Sequence, residues 1–164
     1  METDALMLRA HDIMNPQVIT VPATMTIGDL VDLLQRLNIH AAPVLNEAGD
    51  LAGMVTQEDV LYGTMGGDGE PEPQGRIQAR AGLLELGDLD TLTAEGLDLW
   101  ARPVSDIMTN PPIVVESESP ISEVCRMMWS LRLHHIPVTE SGKVVGLISS
   151  LDFCRAISEG KIGV

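Results

Sequence analysis

The sequence is poor in aromatic and in basic residues. Its 164 residues include two Trp, one Tyr and one Phe, and 10 Lys and Arg stand against 24 Asp and Glu, for a formal net charge of -14. Proteins that bind DNA, RNA or anionic membrane surfaces use Lys and Arg to release counterions, so this charge argues against those partners. The shortage of aromatic side chains also disfavours nucleic-acid binding by base stacking.

Long apolar runs and a basic N-terminal segment are absent as well. No apolar stretch approaches the length that spans a bilayer, and the first residues, METDALMLRA, are acidic. The sequence therefore indicates neither a membrane helix nor a signal peptide, and we expect a cytoplasmic protein. Because its only cysteines, Cys125 and Cys154, fall on apolar stripes of predicted helices, we expect two reduced, buried thiols rather than a disulfide or a metal site.

The chain does contain an internal repeat. HDIMNPQVITV in the first half returns as SDIMTNPPIVVE in the second, and later positions also match when one residue is inserted or dropped in loops. The aligned pairs are Asp12, Ile13 and Met14 with Asp106, Ile107 and Met108; His40, Pro43 and Val44 with His134, Pro137 and Val138; and Gly53 and Asp59 with Gly146 and Asp152. Two copies of one unit are therefore predicted.

Each copy is predicted to have the order β-α-β-β-α. The first helix begins at a capping Thr26 in one copy and at a capping Ser119, with Pro120 in the first turn, in the other. Two strands joined by the turns NEAGD or ESGK form a hairpin, and a last helix begins at Thr56 or Ser149. The predicted strands are 18–21, 42–45 and 51–55, and then 113–115, 136–139 and 144–148. A unit of this size buries its apolar surface poorly, so two copies should pack on each other about a pseudo-twofold axis.

The connection between the copies differs in composition. Residues 63–75, GTMGGDGEPEPQG, are rich in Gly and Pro and predict a flexible linker, while leucines and Trp100 in the rest of the connection suggest one or two short helices.

The stretches GMVTQED and GLISSLD, at the last strand-to-helix turn of each copy, allow two interpretations. Thr56 with Asp59, and Ser149 with Asp152, have the spacing of a capping box at a helix start. The same Asp offers two acceptor oxygens to the adjacent hydroxyls of a ribose, and the helix start favours a phosphate. Spacing alone leaves both interpretations open.

These motifs resemble a known family, the paired cystathionine beta-synthase (CBS) domains, or Bateman modules. The resemblance rests on DIM near the start of each copy, on HAAPV and HHIPV, and on GMVTQED and GLISSLD. It implies an α/β (α+β) fold of two β-α-β-β-α repeats, at 10–63 and 102–160, separated by a connection at 64–101. It also implies a regulatory module rather than an enzyme, which binds AMP, ADP, ATP or S-adenosylmethionine between the repeats and often dimerises.

The family's ligand positions are carried over from matching motifs. The resemblance implicates Thr20, His40, Ala41, Ala42, Thr56 and Asp59, and then Val115, His134, His135, Ile136, Ser149 and Asp152. Arg155, one turn after Asp152, is added as a candidate for its charge. The alternative for His40 and His134 is that they are partly exposed residues at strand edges. No metal site is expected from the histidines, because no HxxxH or Cys-His spacing supports one.

Charge distinguishes the two copies. Glu58 lies inside the first motif, whereas the second copy has Lys143 in its turn, Arg155 after Asp152, and Arg132 beside His134. We therefore expect the cleft of Ser149 and Asp152 to bind a phosphorylated ligand more tightly. The cleft of Thr56 and Asp59 should prefer a nucleoside-like or cationic ligand, or stay empty. ATP would need Mg²⁺ to offset its charge.

Two other functional classes are alternatives to a regulatory sensor. In the first, the motifs are only helix caps, and the chain is a ligand-free scaffold for dimerisation or for a regulated protein. In the second, the chain is an enzyme, but it has no Gly-rich phosphate loop, no nucleophile elbow and no acid pair spaced for acid-base catalysis.

Overall fold

The computed structural model describes residues 8–64 and 100–162. Within these ranges each copy of the repeat forms its own three-stranded sheet with accompanying helices. The predicted α/β (α+β) fold is confirmed. The predicted flexible linker and short helices of the connection fall almost entirely outside the described residues, of which Trp100 and Ala101 are helical.

The helices and strands follow the predicted order in both copies. The first copy is preceded by α1 (Ala10–Ile13) and consists of β1 (Val21–Pro22), α2 (Ile27–Leu37), β2 (Ala41–Leu45), β3 (Leu51–Thr56) and α3 (Gln57–Thr64). The second is preceded by a 3-10 turn (Val104–Asp106) and consists of β4 (Val115–Glu116), α4 (Ile121–Leu131), β5 (His135–Glu140), β6 (Lys143–Ser149) and α5 (Ser150–Ser158). The predicted hairpin strands are each confirmed to within one residue, whereas the first strand of each copy begins two or three residues later than predicted.

Each sheet mixes a parallel and an antiparallel pair. In the first sheet β2 pairs in parallel with β1 and antiparallel with β3, with Ala41 opposite Thr56. In the second sheet β5 pairs in the same way with β4 and β6, with His135 opposite Ser149. The register therefore brings the HAAPV and HHIPV motifs next to the two helix starts that carry the repeated spacing of Thr or Ser and Asp.

The segments before the two copies are exchanged. Residues 8–15 lie on the second copy, and residues 102–109 lie on the first; we call these the crossing segments. The backbone NH of Ala10 donates to the carbonyl of Ser119 at 2.9 Å, and that of Val104 donates to the carbonyl of Met25 at 2.8 Å. This reciprocity is what packing about a pseudo-twofold axis requires.

Each crossing segment also extends the sheet of the other copy at one point. Asn15 exchanges backbone hydrogen bonds with Leu147 of β6 at 2.9 and 3.0 Å. Thr109 exchanges them with Met54 of β3 at 2.8 and 3.1 Å. Because Gly53 and Gly146 lie beside these contacts, the chains approach closely there, and a side chain at either glycine would overlap Met108 and Thr109 or Met14.

The exchange extends into the hydrophobic core. Ile13, 1% exposed, belongs to the core of the second copy with Val115, Val124 and Ile136. Val104, fully buried, belongs to the core of the first copy with residues such as Leu30. Neither core is complete without residues that precede the other copy in the chain.

The predicted helix caps differ between the copies. Thr26 caps α2 as predicted, since its Oγ accepts a hydrogen bond from the Asp29 amide at 3.1 Å. The prediction that Ser119 caps α4 is wrong, because α4 has no side-chain cap and follows Pro120 directly. Instead, the first amide of α4, at Ile121, donates to the carbonyl of Leu8 in the crossing segment at 2.9 Å.

The prediction of buried thiols is also wrong. Cys125 and Cys154 are both exposed free cysteines, because the buried face of α4 is formed by Val124 and Met128 and that of α5 by Ala156. In the described ranges, no helix is long and apolar enough to cross a membrane.

Candidate functional site

The last helix of the first copy begins with a complete capping box. The backbone amide and the Oγ of Thr56 both donate to Asp59 Oδ2, at 2.7 and 2.8 Å, and the Asp59 amide donates back to Thr56 Oγ at 3.2 Å. The capping interpretation of the motif is therefore confirmed for this copy. It does not exclude a ligand, because a carboxylate has about four lone-pair positions for hydrogen bonds.

The equivalent helix start in the second copy has an added cation. The Ser149 amide and Oγ donate to Asp152 Oδ2 at 2.8 and 2.7 Å, as in the first copy. Arg155 Nη2 donates to the other oxygen, Asp152 Oδ1, at 2.7 Å and also to the carbonyl of Ile13 at 2.9 Å. These contacts occupy three of about four acceptor positions of the carboxylate, so it can still accept from a further donor.

Arg155 also links the site to the first crossing segment, because Ile13 lies in α1. Burial disfavours the charged form of Asp152, but the hydrogen bonds from Arg155 and Ser149 outweigh it and hold the pKa of this carboxyl below its ordinary value. Asp152 is therefore an ionised acceptor at neutral pH.

Asp59 lies in a cleft of about 680 Å³, which we call the first cleft. Its walls come from both copies, since β3 and α3 of the first copy face Thr109, Ile113 and the end of α4. The residues that line it are His40, Met54, Thr56, Gln57, Glu58, Asp59, Leu61, Tyr62, Thr109, Ile113, Leu131, Arg132, Leu133, His134 and His135.

Asp152 lies in a corresponding second cleft of about 520 Å³. Here the start of α5 faces the residues that precede β1 and the turn between α2 and β2 of the first copy. The residues that line it are Asn15, Gln17, Val18, Ile19, Asn38, Ile39, His40, Ala41, His134, His135, Leu147, Ser149, Ser150, Leu151 and Asp152. Each cleft thus combines the helix start of one copy with a loop and a turn of the other.

Three histidines line both clefts: His40, His134 and His135. We call them the histidine wall. Burial lowers the pKa of His135, the neighbouring His40 and His134 lower it further, and Asp152 and Glu58 oppose this change. His135 is therefore mostly neutral at pH 7 and becomes charged only at lower pH.

The histidine wall gives a testable pH dependence of stability. The folded pKa of His135 lies below its ordinary value of 6.5. Stability is therefore complete above about pH 6.5 and falls as the pH is lowered towards the folded pKa, because the unfolded chain binds the proton first. Denaturant unfolding of His135→Gln at several pH values should show a smaller loss.

The matched control is His11→Gln, since His11 is exposed on α1 and contacts Asp12 and Glu118 rather than the histidine wall. This variant should not reproduce the smaller loss of stability expected in His135→Gln. If stability fell with pH as steeply in His135→Gln as in the unmodified chain, the lowered pKa of His135 would be contradicted as the cause.

The structure brings most of the predicted site residues to the clefts, but not all. Thr56, Asp59, Ser149, Asp152, the three histidines and Ala41 line a cleft. The side chains of Ala42 and Ile136 are fully buried in the two cores, and Val115 is 4% exposed in the second core. Contact of Ala42 and Ile136 with a ligand, expected through their backbone groups, and contact of Val115 stay predictions.

Residues just before the predicted first-strand positions line the clefts. Val18 and Ile19, next to Thr20, line the second cleft, and Ile113, two residues before Val115, lines the first. Ligand contact by Thr20 and Val115 stays a prediction. The exposed Ile19 and Ile113 were missed because the predicted strands began earlier than β1 and β4 do. An exposed apolar residue just before a short strand is the signal that could have identified them.

The predicted distribution of cations is wrong for two residues. Lys143 forms an ion pair with Asp50 in the turn of the other copy and lines neither cleft. Arg132 lines the first cleft rather than the second. Both errors have one cause, because each cleft includes residues of both copies and position in the second copy does not place a side chain in the second cleft.

The exposed part of α4 holds Arg132 in a specific position. Its guanidinium lies 5.4 Å from the ring centroid of Trp129, which is 74% exposed.

As for metals, the described parts of the chain contain no group of three or more His, Cys, Asp or Glu side chains arranged to hold an ion.

Known proteins share both the sequence pattern and the fold. The family model for the CBS domain matches residues 10–65 and 104–159. The Methanocaldococcus jannaschii protein MJ1404 is 25% identical over 92% of this chain and 32% of its own length. The Arabidopsis thaliana chloroplastic protein CBSX1 is 26% identical over 83% of this chain and 57% of its own length. The chain thus spans well under two thirds of these relatives.

Solved structures match along almost the whole chain. The structure of CBSX2 in complex with AMP has a TM-score of 0.68 at 20% identity and covers 94% of this chain and 98% of its own. The CBS domain pair of MJ0100, in complex with methylthioadenosine and S-adenosylmethionine, has a TM-score of 0.66 at 21% identity and covers 94% and 98%. Both repeats of the present chain match the family model, and the chain therefore belongs to the CBS domain family.

Proposed function

We propose that this chain is a regulatory module that binds an adenosine-containing ligand in one or both clefts. The observation that carries the proposal is the duplicated carboxylate: Asp59 and Asp152 each lie at a helix start and each line a cleft between the copies. A ribose offers two adjacent hydroxyl donors, and an ionised carboxylate is the acceptor that suits them. The ligands of CBSX2 and of MJ0100, AMP and methylthioadenosine with S-adenosylmethionine, support this class.

Aliphatic side chains at the cleft edges support binding of a flat base. Ile113 and Leu131 line the first cleft and are 37% and 49% exposed, while Ile19 and Leu151 line the second and are 40% and 75% exposed. A purine placed between such side chains would remove apolar surface from water on both faces. Aliphatic contacts thus replace the aromatic stacking that the composition cannot provide.

The proposed signal is a change in packing between the copies. A ligand in either cleft would contact residues of both copies, including Asn15 or Thr109 of the crossing segments. Such a ligand favours whichever arrangement of the copies it fits best, and a second copy of the chain in a homodimer, or a regulated protein, would respond to that arrangement. Catalysis forms no part of this proposal.

The test is the melting temperature with AMP, ADP, ATP with and without Mg²⁺, and S-adenosylmethionine. A ligand at about 100 times its Kd stabilises a protein by about 2.7 kcal/mol, which is about 5 to 10 °C for a chain of this size. We expect such a shift with at least one ligand of this panel.

Asp152→Glu and Asp59→Glu separate ligand binding from helix capping. Glutamate satisfies a capping box at least as well as aspartate, so these variants should retain stability without ligand. Its carboxylate lies one methylene further out, so the ligand-induced shift of the affected cleft should be lost. The control Asp32→Asn, at an exposed position on α2 outside both clefts, should retain the full shift.

The alternative is a scaffold without a ligand. It is favoured by the exposed apolar side chains of Trp129 and Leu151, which are 74% and 75% exposed and could contact another protein. No shift with any ligand of the panel, or an unchanged shift in both Asp→Glu variants, would overturn the sensor in favour of this scaffold.

A further inference from the structure

The two clefts are not independent, because they share one wall. Three of the four histidines of the chain, His40, His134 and His135, line both the first and the second cleft. His135 begins the second hairpin, and His134 and His40 lie just before the second and the first hairpin, so the wall lies between the two copies. His134 Nδ1 lies 3.4 Å from Ser150 Oγ at the start of α5, which connects the wall directly to the second cleft.

The histidines are also the main groups that could meet an anion there. Among the described residues that line the second cleft, no Lys or Arg is present, and Arg155, outside this lining, pairs with Asp152. The first cleft adds Arg132, which is offset by Glu58 and Asp59. The other charged groups that act on the wall are Asp152 on α5 and Glu58 on α3.

A ligand whose ribose is held by Asp59 or by Asp152 can therefore point its phosphate towards the histidine wall from either cleft. The two carboxylates repel the phosphate, and the imidazoles can donate hydrogen bonds to it. A phosphate bound from one cleft would then lie against the side chains that a phosphate in the other cleft needs.

We propose that the histidine wall is a phosphate-binding surface shared by both clefts, so that a phosphorylated nucleoside in one cleft opposes binding of a second in the other. This inference rests on the proposed function and adds to it that binding of a phosphorylated ligand in one cleft weakens binding of another in the second cleft. An uncharged nucleoside has no phosphate to place on the wall and fills the two clefts independently.

The physical reason is electrostatic. Two phosphates on either side of one row of side chains repel each other, and the cations closest to hand, Arg132 and Arg155, stand beside Glu58, Asp59 and Asp152. Protonation of His135 at lower pH adds positive charge between the phosphates and reduces the repulsion. The coupling should therefore weaken as the pH falls.

The experiment is calorimetric titration of the full chain with AMP and with adenosine. At about pH 7.5 we expect the second AMP to bind at least about tenfold more weakly than the first, whereas two adenosines bind with similar affinity. At about pH 5.5 the two AMP affinities should differ by less than about threefold.

Variants separate the histidine wall from the ligand's own titration. The second pKa of a phosphate monoester is about 6, so AMP itself loses charge in the same range. In His135→Gln the pH dependence of the coupling should be smaller than in the unmodified chain. The control His11→Gln, at an exposed position on α1 outside both clefts, should keep the full dependence.

The outcomes are distinguishable. Two AMP molecules bound as independently as two adenosines would overturn the shared surface and leave the proposed function standing. A stoichiometry of one AMP per chain in one titration and of one adenosine per chain in the other would also overturn it, since only one of the two clefts would then be a site. Binding of neither AMP nor adenosine, with no response to any nucleotide of the panel, would overturn both proposals.

Discussion

Alanine at Gly53 should lower the free energy of unfolding by about 3 kcal/mol, because there is no room for a Cβ between β3 and the second crossing segment. A Cβ there would lie 2.7 Å from Met108 Sδ and 2.7 Å from the carbonyl oxygen of Thr109. The methionine side chain can rotate away, but the carbonyl is held by its hydrogen bond from the Met54 amide at 3.1 Å. Denaturant unfolding measures the loss.

The repeat supplies a matched comparison at Gly146. The three atoms nearest to a Cβ at this position all belong to the side chain of Met14, namely Sδ, Cγ and Cβ. Because a methionine side chain adapts, Gly146→Ala should cost about half as much as Gly53→Ala. Gly28→Ala, where the nearest atom would lie 3.4 Å away, should change stability by less than about 1 kcal/mol. A loss at Gly146 equal to that at Gly53 would contradict the role assigned to the Thr109 carbonyl.

Alanine at Ile13 should lower the free energy of unfolding by about 3 kcal/mol, although Ile13 precedes the first copy and most of the core it fills belongs to the second. Ile13 is 1% exposed and packs with Val124, Ile136 and Ile148. Its removal leaves a cavity in that core. Hydrogen exchange should therefore accelerate in β5 and β6 more than in β2 and β3, and this regional pattern is the distinguishing measurement.

The control is Ile157→Ala on α5, because Ile157 is 42% exposed and lines neither cleft. It should cost less than about 1 kcal/mol. If Ile13→Ala accelerated exchange chiefly in the strands of the first copy, the exchange of the two crossing segments would be refuted.

The order of helices and strands could be predicted because its signals are local. Thr26 and the Asp29 amide are three residues apart, as are Thr56 and Asp59, so spacing along the chain states the contact directly. The hairpin turns are equally local, with Gly49 and Gly142 at positive φ of 80° and 77°. Aligning the two copies then placed Asp59 and Asp152 in equivalent positions.

The exchange between the copies could not be read from the same signals. Apolar periodicity shows that Ile13 and Val104 are to be buried, but it does not say in which copy. Their partners lie about 100 residues away or across the connection, and the two copies offer similar surfaces. The errors at Arg132 and Lys143 follow from this, because the clefts were assigned as if each belonged to one copy.

The errors at Cys125 and Ser119, and the burial of Val115, have a different origin. Cys125 lies one residue from buried Val124, so a stripe drawn slightly too wide on α4 includes it. β4 has only two residues, and its inward and outward positions are fixed by pairing with β5 rather than by its own sequence. Ser119 was expected to cap α4, but the Leu8 carbonyl accepts the first helical amide instead.

The exchange of Ile13 and Val104 has a consequence for synthesis on the ribosome. When the last residue of α3 leaves the exit tunnel, the first copy still lacks Val104, which lies 40 residues further along the chain. Ile13, made early, has no complete partner core until α5, which carries Ala156, has been made. The two copies should therefore reach their final packing together, late in translation, and a nascent chain that pauses in the connection would expose the unfinished first core and Ile13 to chaperones.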